Sequence, residues 1–159
     1  MIQSAHAVII ITLSAMLVAQ VLKFMIHALI YKKFDQSLLI STGGMPSSHS
    51  ALVTSLVTSI GLFEYHDNQT VGYPFAIALV LALVVLHDSM GIRYEASKHA
   101  RELNQIKLRL NLIENIDIEE KKLKEALGHK PKEVLAGIIL GVVIALIGYL
   151  IVTLWENLV

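Results

Sequence analysis

Four long apolar runs constrain the fold of this chain more strongly than any other feature. The first extends from Ala5 to Tyr31 and is long enough to cross a hydrocarbon core of about 30 Å. Three more runs of spanning length follow at about residues 47–63, 74–90 and 132–155. The chain is 55% hydrophobic with a mean hydropathy of +0.64, which is well above the norm for soluble globular proteins. We therefore predict an all-α membrane helix bundle of about four transmembrane helices, forming a single domain over residues 1–159.

The first apolar run leaves two alternatives open. A cleaved signal peptide is disfavoured, because no Lys or Arg precedes the run and because the run is longer than a signal-peptide core. Lys23 lies inside the run, where a charged side chain is expensive, so it either extends to the interface or serves a functional site.

Residues 91–127 differ in kind from the four apolar runs. They are rich in charged residues, but apolar residues recur among them at helical spacing. This pattern predicts one or two amphipathic helices that lie at the membrane surface or over the bundle.

Small residues recur at every fourth position in the second and fourth runs. The two series are Ser47, Ala51, Ser55 and Ser59, and Gly137, Gly141 and Ala145. Such a series favours a close contact between two helices, and a polar conduit is the alternative interpretation.

Charge and cysteine content exclude several classes of function. The 13 Lys and Arg residues balance the 13 Asp and Glu residues, so nucleic acid is not an expected partner. The absence of cysteine excludes disulfides, thiolate metal sites and a cysteine nucleophile.

The basic residues predict the orientation of the chain in the membrane. All of them except Lys23 lie in the first and third connections between the apolar runs. The positive-inside rule therefore predicts that these connections are cytoplasmic and that both termini lie outside.

Two short motifs each place a histidine beside a proline at the start of an apolar run. They are GGMPSSHS at residues 43–50 and GHKPKEV at residues 128–134, and both would open on the cytoplasmic face. Proline is favoured at the first position of a helix, so Pro46 and Pro131 predict two helix starts. The free N–H groups of a first helical turn and the positive end of the helix dipole form a site for an anion.

The residues of these motifs suit phosphoryl transfer without a metal or other cofactor. His129 and His49 can supply a nucleophile and a general acid, because imidazole titrates near neutral pH. Glu133 follows His129 by four residues and can accept its other ring proton. N–H groups around Ser47 and Ser48 would hold the phosphate oxygens.

The two motifs carry a resemblance to a known family. GHKPKEVLAGIILG resembles the third signature of the PAP2 phosphatidic acid phosphatase and vanadium haloperoxidase superfamily, His-x-Pro-x-Asp-Val-x-x-Gly-x-x-x-Gly. MPSSHS resembles its second signature, Pro-Ser-Gly-His. With the Asp88-x-x-Gly91-x-Arg93 element, the chain is similar over essentially its whole length to the divergent PAP2 (DUF212, YuiD-like) family.

The resemblance implies a division of roles within the site. His129 matches the histidine that becomes phosphorylated, His49 the one that protonates the leaving alcohol, and Glu133 the partner of His129. With the glycine that turns the chain before the anion site and a further cation after the third run, the candidate substrate-binding residues are Lys23, Gly44, Ser47, Ser48, Asp88 and Arg93. Among these, Lys23 matches the lysine of the first signature, and Asp88 would orient Arg93.

Several positions depart from the pattern of the superfamily. Glu133 replaces an aspartate and Ser48 replaces a glycine. No Arg-Pro pair follows Lys23, and Leu123 stands six residues before His129, where an arginine is expected. Four spans are also fewer than the six of membrane PAP2 enzymes, so either the amphipathic segment replaces part of that bundle or a second copy in a homo-oligomer completes it.

The function that these observations favour is a metal-independent phosphatase acting on a lipid phosphate in the bilayer of a bacterial cell membrane. A regulatory protein that binds the anion without turnover is the alternative, because arginines of the family pattern are missing. A small transporter subunit is the weaker third interpretation, and haloperoxidase activity is disfavoured because nothing in the sequence specifies vanadate over phosphate.

Overall fold

The computed structural model describes residues 2–31, 44–114 and 129–158, together with Leu123. Side chains within these ranges are described except those of residues 2–4, 31, 92–94 and 111–114. The described chain forms five helices: α1 (Ile2–Tyr31), α2 (Ser48–Asn68), α3 (Tyr73–Met90), α4 (Ile92–Glu114) and α5 (Pro131–Glu156). The predicted all-α membrane fold is confirmed.

The helix α2 lies at the centre of the bundle, in contact with α1, α3 and α5. Its contact with α5 depends on two glycines that have no side chain to separate the backbones. A Cβ atom added to Gly141 would lie 2.5 Å from the carbonyl oxygen of Ala51, and one added to Gly137 would lie 2.8 Å from Ser50 Cβ. Since Ser55 is also fully buried, the packing interpretation of the small residues is confirmed.

The helices α1 and α5 meet at the opposite end of the bundle from the two motifs. Ile11 of α1 packs so closely on Gly148 that an added Cβ would lie 2.6 Å from its Cγ1 atom. Ala7, Phe63 and Ala145 form a buried cluster with Ile11, and the Phe63 ring lies 5.3 Å from that of Tyr149.

Three of the described helical segments are long and apolar enough to cross a membrane: Ala5–Ile30, Tyr73–Leu110 and Pro131–Glu156. The second of these contains α3 and most of α4. The predicted span at 47–63 is not among them, because the serines and threonines of α2 lower its hydropathy. Neighbouring helices on three sides leave α2 with less need for an apolar surface than a helix that faces lipid.

Two boundaries of α2 differ from the prediction. Pro46 does not start the helix, since Ser47 is the N-cap and Ser48 is the first helical residue. The C-terminal end lies at Asn68 rather than near residue 63, because the helix continues beyond the apolar run until Gln69 adopts the left-handed conformation. Pro131, by contrast, is the first residue of α5 as predicted.

The amphipathic segment predicted at 91–127 is helical over Ile92–Glu114. Most of the described side chains of α4 are exposed, whereas Ala100 is buried. The side-chain amide of Asn104 donates to the Leu123 carbonyl and accepts from the Leu123 N–H, each at 3.0 Å. The rest of the predicted segment after Glu114 lies outside the described residues.

The chain direction alternates so that four helix ends meet. The C-terminal ends of α1 and α3 lie beside the N-terminal ends of α2 and α5, and we call this region the motif end. Two backbone hydrogen bonds fasten it: Ser47 N–H donates to the Glu133 carbonyl at 3.0 Å, and His129 N–H donates to the Ser89 carbonyl at 3.2 Å. Both histidine motifs therefore lie on one face of the bundle.

Candidate active site

The first motif is held by its own serines. Ser47 has an extended backbone and caps α2, because its hydroxyl oxygen accepts from the Ser50 N–H at 3.3 Å and from the Ser50 hydroxyl at 2.9 Å. We predicted that the Ser47 N–H would bind a phosphate oxygen. It donates instead to the Glu133 carbonyl and is therefore not available to a ligand. The Ser48 N–H, also in the first turn, has no acceptor among the described residues, so it is a candidate donor to a ligand.

The second motif turns into α5 at Lys130 and Pro131. One carboxylate oxygen of Glu133, Oε2, accepts from the Lys130 N–H at 3.2 Å and lies 3.1 Å from His129 Nδ1. The glutamate is at the third helical position, where a carboxylate stabilises the positive end of the helix dipole. Helix capping and contact with His129 are thus performed by one side chain.

His129 is almost completely buried, with 3% of its side chain exposed. In the neutral tautomer that donates a hydrogen bond from Nδ1 to the Glu133 carboxylate, Nε2 carries no proton and has a free lone pair. Nε2 is buried and makes no hydrogen bond within the described part of the chain. A buried polar atom without a hydrogen bond lowers the stability of the fold by about 1–3 kcal/mol, so a ligand that binds Nε2 would remove this cost.

His49 lies near His129 but is exposed. The two ring centroids are 6.4 Å apart and the ring planes are inclined by 58°. The structure therefore brings together a buried imidazole with a fixed orientation and a second imidazole that is accessible to solvent.

Lys23 reaches the motif end from α1 and is buried, with 2% exposure. Its side-chain carbons pack on Gly44, where an added Cβ would lie 3.2 Å from Lys23 Cγ and Cδ. Gly44 has φ +98°, which favours glycine on backbone grounds as well. Lys23, Gly44 and Glu133 line a cavity of about 230 Å³ together with His27, so a cationic side chain lies close to the motifs.

Asp88 and Arg93 lie where α3 ends and α4 begins. Asp88 is half-buried at the end of α3 and lines a shallow groove with Leu83 and Met90. Its neighbour Ser89 is the residue whose carbonyl accepts from His129 N–H. Arg93 lies in the first turn of α4, and its side chain lies outside the described residues.

Two contributions to the site were not anticipated from the sequence. The Ser89 carbonyl and the Glu133 carbonyl are backbone acceptors, and no residue type signals such a contact in advance. The capping role of Ser47 could have been detected, because serine is a preferred residue directly before the first residue of a helix.

The arrangement provides the elements of nucleophilic catalysis. An imidazole with one nitrogen bound to a carboxylate and the other without a partner has the geometry of an activated nucleophile or base. Within the described ranges, no three His, Asp or Glu side chains lie together in a way that would hold a metal ion.

Comparison with known proteins agrees with the resemblance carried by the two motifs. Residues 4–144 match the model of the divergent PAP2 family. The chain is also 37% identical to the uncharacterized membrane protein YuiD of Bacillus subtilis (strain 168) over 145 residues, which cover 86% of this chain and 89% of that protein. No solved structure matches the chain. The chain is a membrane protein and belongs to the divergent PAP2 family.

Proposed function

We propose that this protein is a metal-independent phosphatase that hydrolyses a lipid phosphomonoester through a phosphohistidine at His129. The observation that carries the proposal is the state of the His129 ring. Its Nδ1 lies 3.1 Å from the Glu133 carboxylate, whereas its buried Nε2 makes no hydrogen bond among the described residues. Nε2 is thereby the atom available to attack phosphorus.

The first half of the reaction transfers the phosphoryl group to the protein. The Nε2 lone pair of His129 forms a bond to phosphorus while the bond from phosphorus to the ester oxygen breaks. His49, in its protonated form, gives a proton to that oxygen, and the lipid leaves as an alcohol. The Glu133 carboxylate stabilises the positive charge that develops on the His129 ring.

The second half of the reaction restores the enzyme. Neutral His49 takes a proton from a water molecule, whose oxygen attacks phosphorus as the bond to Nε2 breaks. Inorganic phosphate leaves, His129 returns to its starting state, and His49 carries the proton needed for the next cycle.

Positive charge and N–H groups would stabilise the phosphoryl oxygens during both steps. We assign this role to the Ser48 N–H and to Lys23, with Arg93 as a further cation oriented by Asp88. The close contact between Lys23 and Gly44 supports a fixed position for the lysine. Ser47 contributes by holding the start of α2, because its polar groups are engaged within the protein.

A lipid is the favoured substrate because the motif end joins helices that are apolar enough to cross a membrane. The concentration of Lys and Arg in the first and third connections supports an active site on the cytoplasmic side, with both termini outside. The cell membrane is the proposed location.

The direct test is phosphate release by purified protein in the presence of a metal chelator. The substrates are phosphatidic acid, phosphatidylglycerol phosphate and a polyprenyl phosphate in detergent micelles. We expect turnover of at least one of them and its loss in His129→Ala. Full turnover by that variant would exclude the mechanism.

A second candidate is a membrane protein that binds lipid phosphate without hydrolysing it. One observation favours it: Leu123 occupies the position where the superfamily pattern has an arginine, and its backbone is bound to Asn104. Vanadate binding that persists in His129→Ala, with no hydrolysis by the parent, would support this candidate. A transport path along α2 is not favoured, since its small residues pack against α5.

A further inference from the structure

An apolar groove lies between α1 and α5, on the part of these helices nearest the motif end. Its volume is about 360 Å³, and six of the side chains that line it are Leu22, Ile26, Ala136, Ile139, Leu140 and Val143. The two helices are in close contact further along, at Ile11 and Gly148. Ile139 and Val143 are exposed, so the groove opens outward to the lipid.

The groove adjoins the cavity that Lys23 lines. Ile26 and Met45 line both spaces. The apolar groove thus ends beside the buried Lys23 side chain. The cavity that Lys23 lines is also lined by Glu133, the residue in contact with His129. The apolar groove followed by the cationic side chain corresponds to the hydrocarbon chain and the anionic headgroup of a lipid phosphate.

We propose that the groove binds one hydrocarbon chain of the lipid phosphate substrate and leaves the phosphate at the Lys23 end, an inference that rests on the proposed function. Ala136 and Val143 are separated by about 10 Å of helical rise. That length is about a third of the hydrocarbon core, so the groove holds the part of the chain nearest the headgroup.

The groove acts by positioning rather than by hydrophobic attraction. A lipid chain is already in an apolar surrounding, so its transfer from bilayer to groove gains little hydrophobic free energy. Contact with the two helices instead restricts where the phosphate can lie relative to His129 and His49, and such orientation accelerates a reaction. The effect is therefore expected in kcat/KM for substrates with a long chain.

The first experiment fills the groove. Ala136→Phe places a ring among the groove residues, and Leu135→Phe is the matched control, because Leu135 is exposed and does not line the groove. We expect Ala136→Phe to lower kcat/KM for dioleoyl phosphatidic acid by about tenfold and to leave kcat/KM for p-nitrophenyl phosphate, which has no hydrocarbon chain, unchanged. Leu135→Phe should change neither value. Equal losses on both substrates in Ala136→Phe would overturn the proposal.

The second experiment needs neither turnover nor a substitution in the groove. His129→Ala is incubated with phosphatidic acid that carries a diazirine in one acyl chain near the ester, then illuminated, and the labelled residues are identified. We expect label on α1 and α5 at the groove residues. Label on the outward face of α3 at Leu83 and Val84 instead would overturn the proposal.

Together the experiments separate this inference from the proposed function. Groove labelling without hydrolysis by the parent would mean that the lipid site is right and the phosphatase proposal is wrong. Hydrolysis with labelling elsewhere would mean the reverse. If Ala136→Phe instead converts a dimer to a monomer and His129→Ala shows no groove labelling, the groove is occupied by a helix of a second copy and the proposal fails.

Discussion

The backbone N–H of Ser47 donates to the backbone carbonyl of Glu133 at 3.0 Å, although the two residues lie far apart in the chain. The side chain of Glu133 contacts His129 Nδ1 and accepts from the Lys130 N–H. Glu133 therefore binds the start of α2 through its backbone carbonyl and the proposed nucleophile through its side chain. A displacement of α2 relative to α5 would be transmitted to His129.

We expect Glu133→Gln to lower kcat by roughly 10²–10⁴-fold, because the neutral amide no longer stabilises charge on the His129 ring and can favour the wrong tautomer. The backbone carbonyl that binds Ser47 is unchanged in this variant, so the fold should persist. Phosphate release and thermal unfolding are measured in parallel.

Glu133→Asp is the matched control for this prediction. It keeps the charge but shortens the side chain by one methylene, so it should retain more activity than Glu133→Gln. Equal activity of Glu133→Gln and the parent would show that the carboxylate does not assist His129.

His49→Ala should affect substrates according to their leaving group. We expect a loss of about 10²–10⁴-fold in the phosphoryl-transfer rate for a lipid phosphate, because the alkoxide leaves poorly without a proton. For p-nitrophenyl phosphate, whose leaving group needs no proton, that rate should fall much less. It is measured as the first turnover by rapid quench, and an equal loss on both substrates would contradict the assignment of His49 as the acid.

Ser47→Ala should destabilise the protein by about 1 kcal/mol through loss of the cap on α2. The Ser47 hydroxyl accepts two hydrogen bonds from Ser50, whereas no intramolecular bond of this kind is found for Ser48 among the described residues. Ser48→Ala, which keeps the backbone N–H, is therefore the control and should leave the unfolding free energy nearly unchanged. Chemical denaturation in detergent distinguishes the two, and equal effects would count against the capping role.

Gly141→Ala should destabilise the contact between α2 and α5 by about 1–3 kcal/mol, because its methyl group would lie 2.5 Å from the Ala51 carbonyl oxygen. Gly72→Ala is the matched control, since the atoms nearest to its added Cβ are 3.6 Å away. Thermal unfolding in detergent measures both variants. A Gly141→Ala protein as stable as the Gly72→Ala protein would show that the helices do not pack this closely.

Much of the bundle follows from residue patterns that act locally. Apolar runs predict α1, α3 and α5, and the glycine series predicts the face of α5 that meets α2. The end of α2 was wrongly predicted, because a polar turn can continue a helix beyond its apolar part. Pro46 was wrongly placed at the helix start, because the cap was formed by the next residue, Ser47.

The spacing of His129 and Glu133 predicted their side-chain contact, whereas other connections of the site are made by backbone atoms and were less accessible to prediction. The bond from Ser47 to Glu133 and the bond from His129 to Ser89 involve N–H and carbonyl groups that every non-proline residue carries. The packing of Lys23 on Gly44 likewise depends on how α1 meets the first motif in three dimensions. Residue types suggested the participants, whereas the fold was needed to show how they are joined.

The most direct measurement of the central claim is the identification of a phosphorylated residue during turnover. Protein mixed with ³²P-labelled phosphatidic acid is quenched in alkali within the first turnover, digested and mapped. The account predicts a base-stable, acid-labile phosphate on His129 that is absent from His129→Ala. Lipid phosphate hydrolysis without such an intermediate, or with label on another residue, would contradict it.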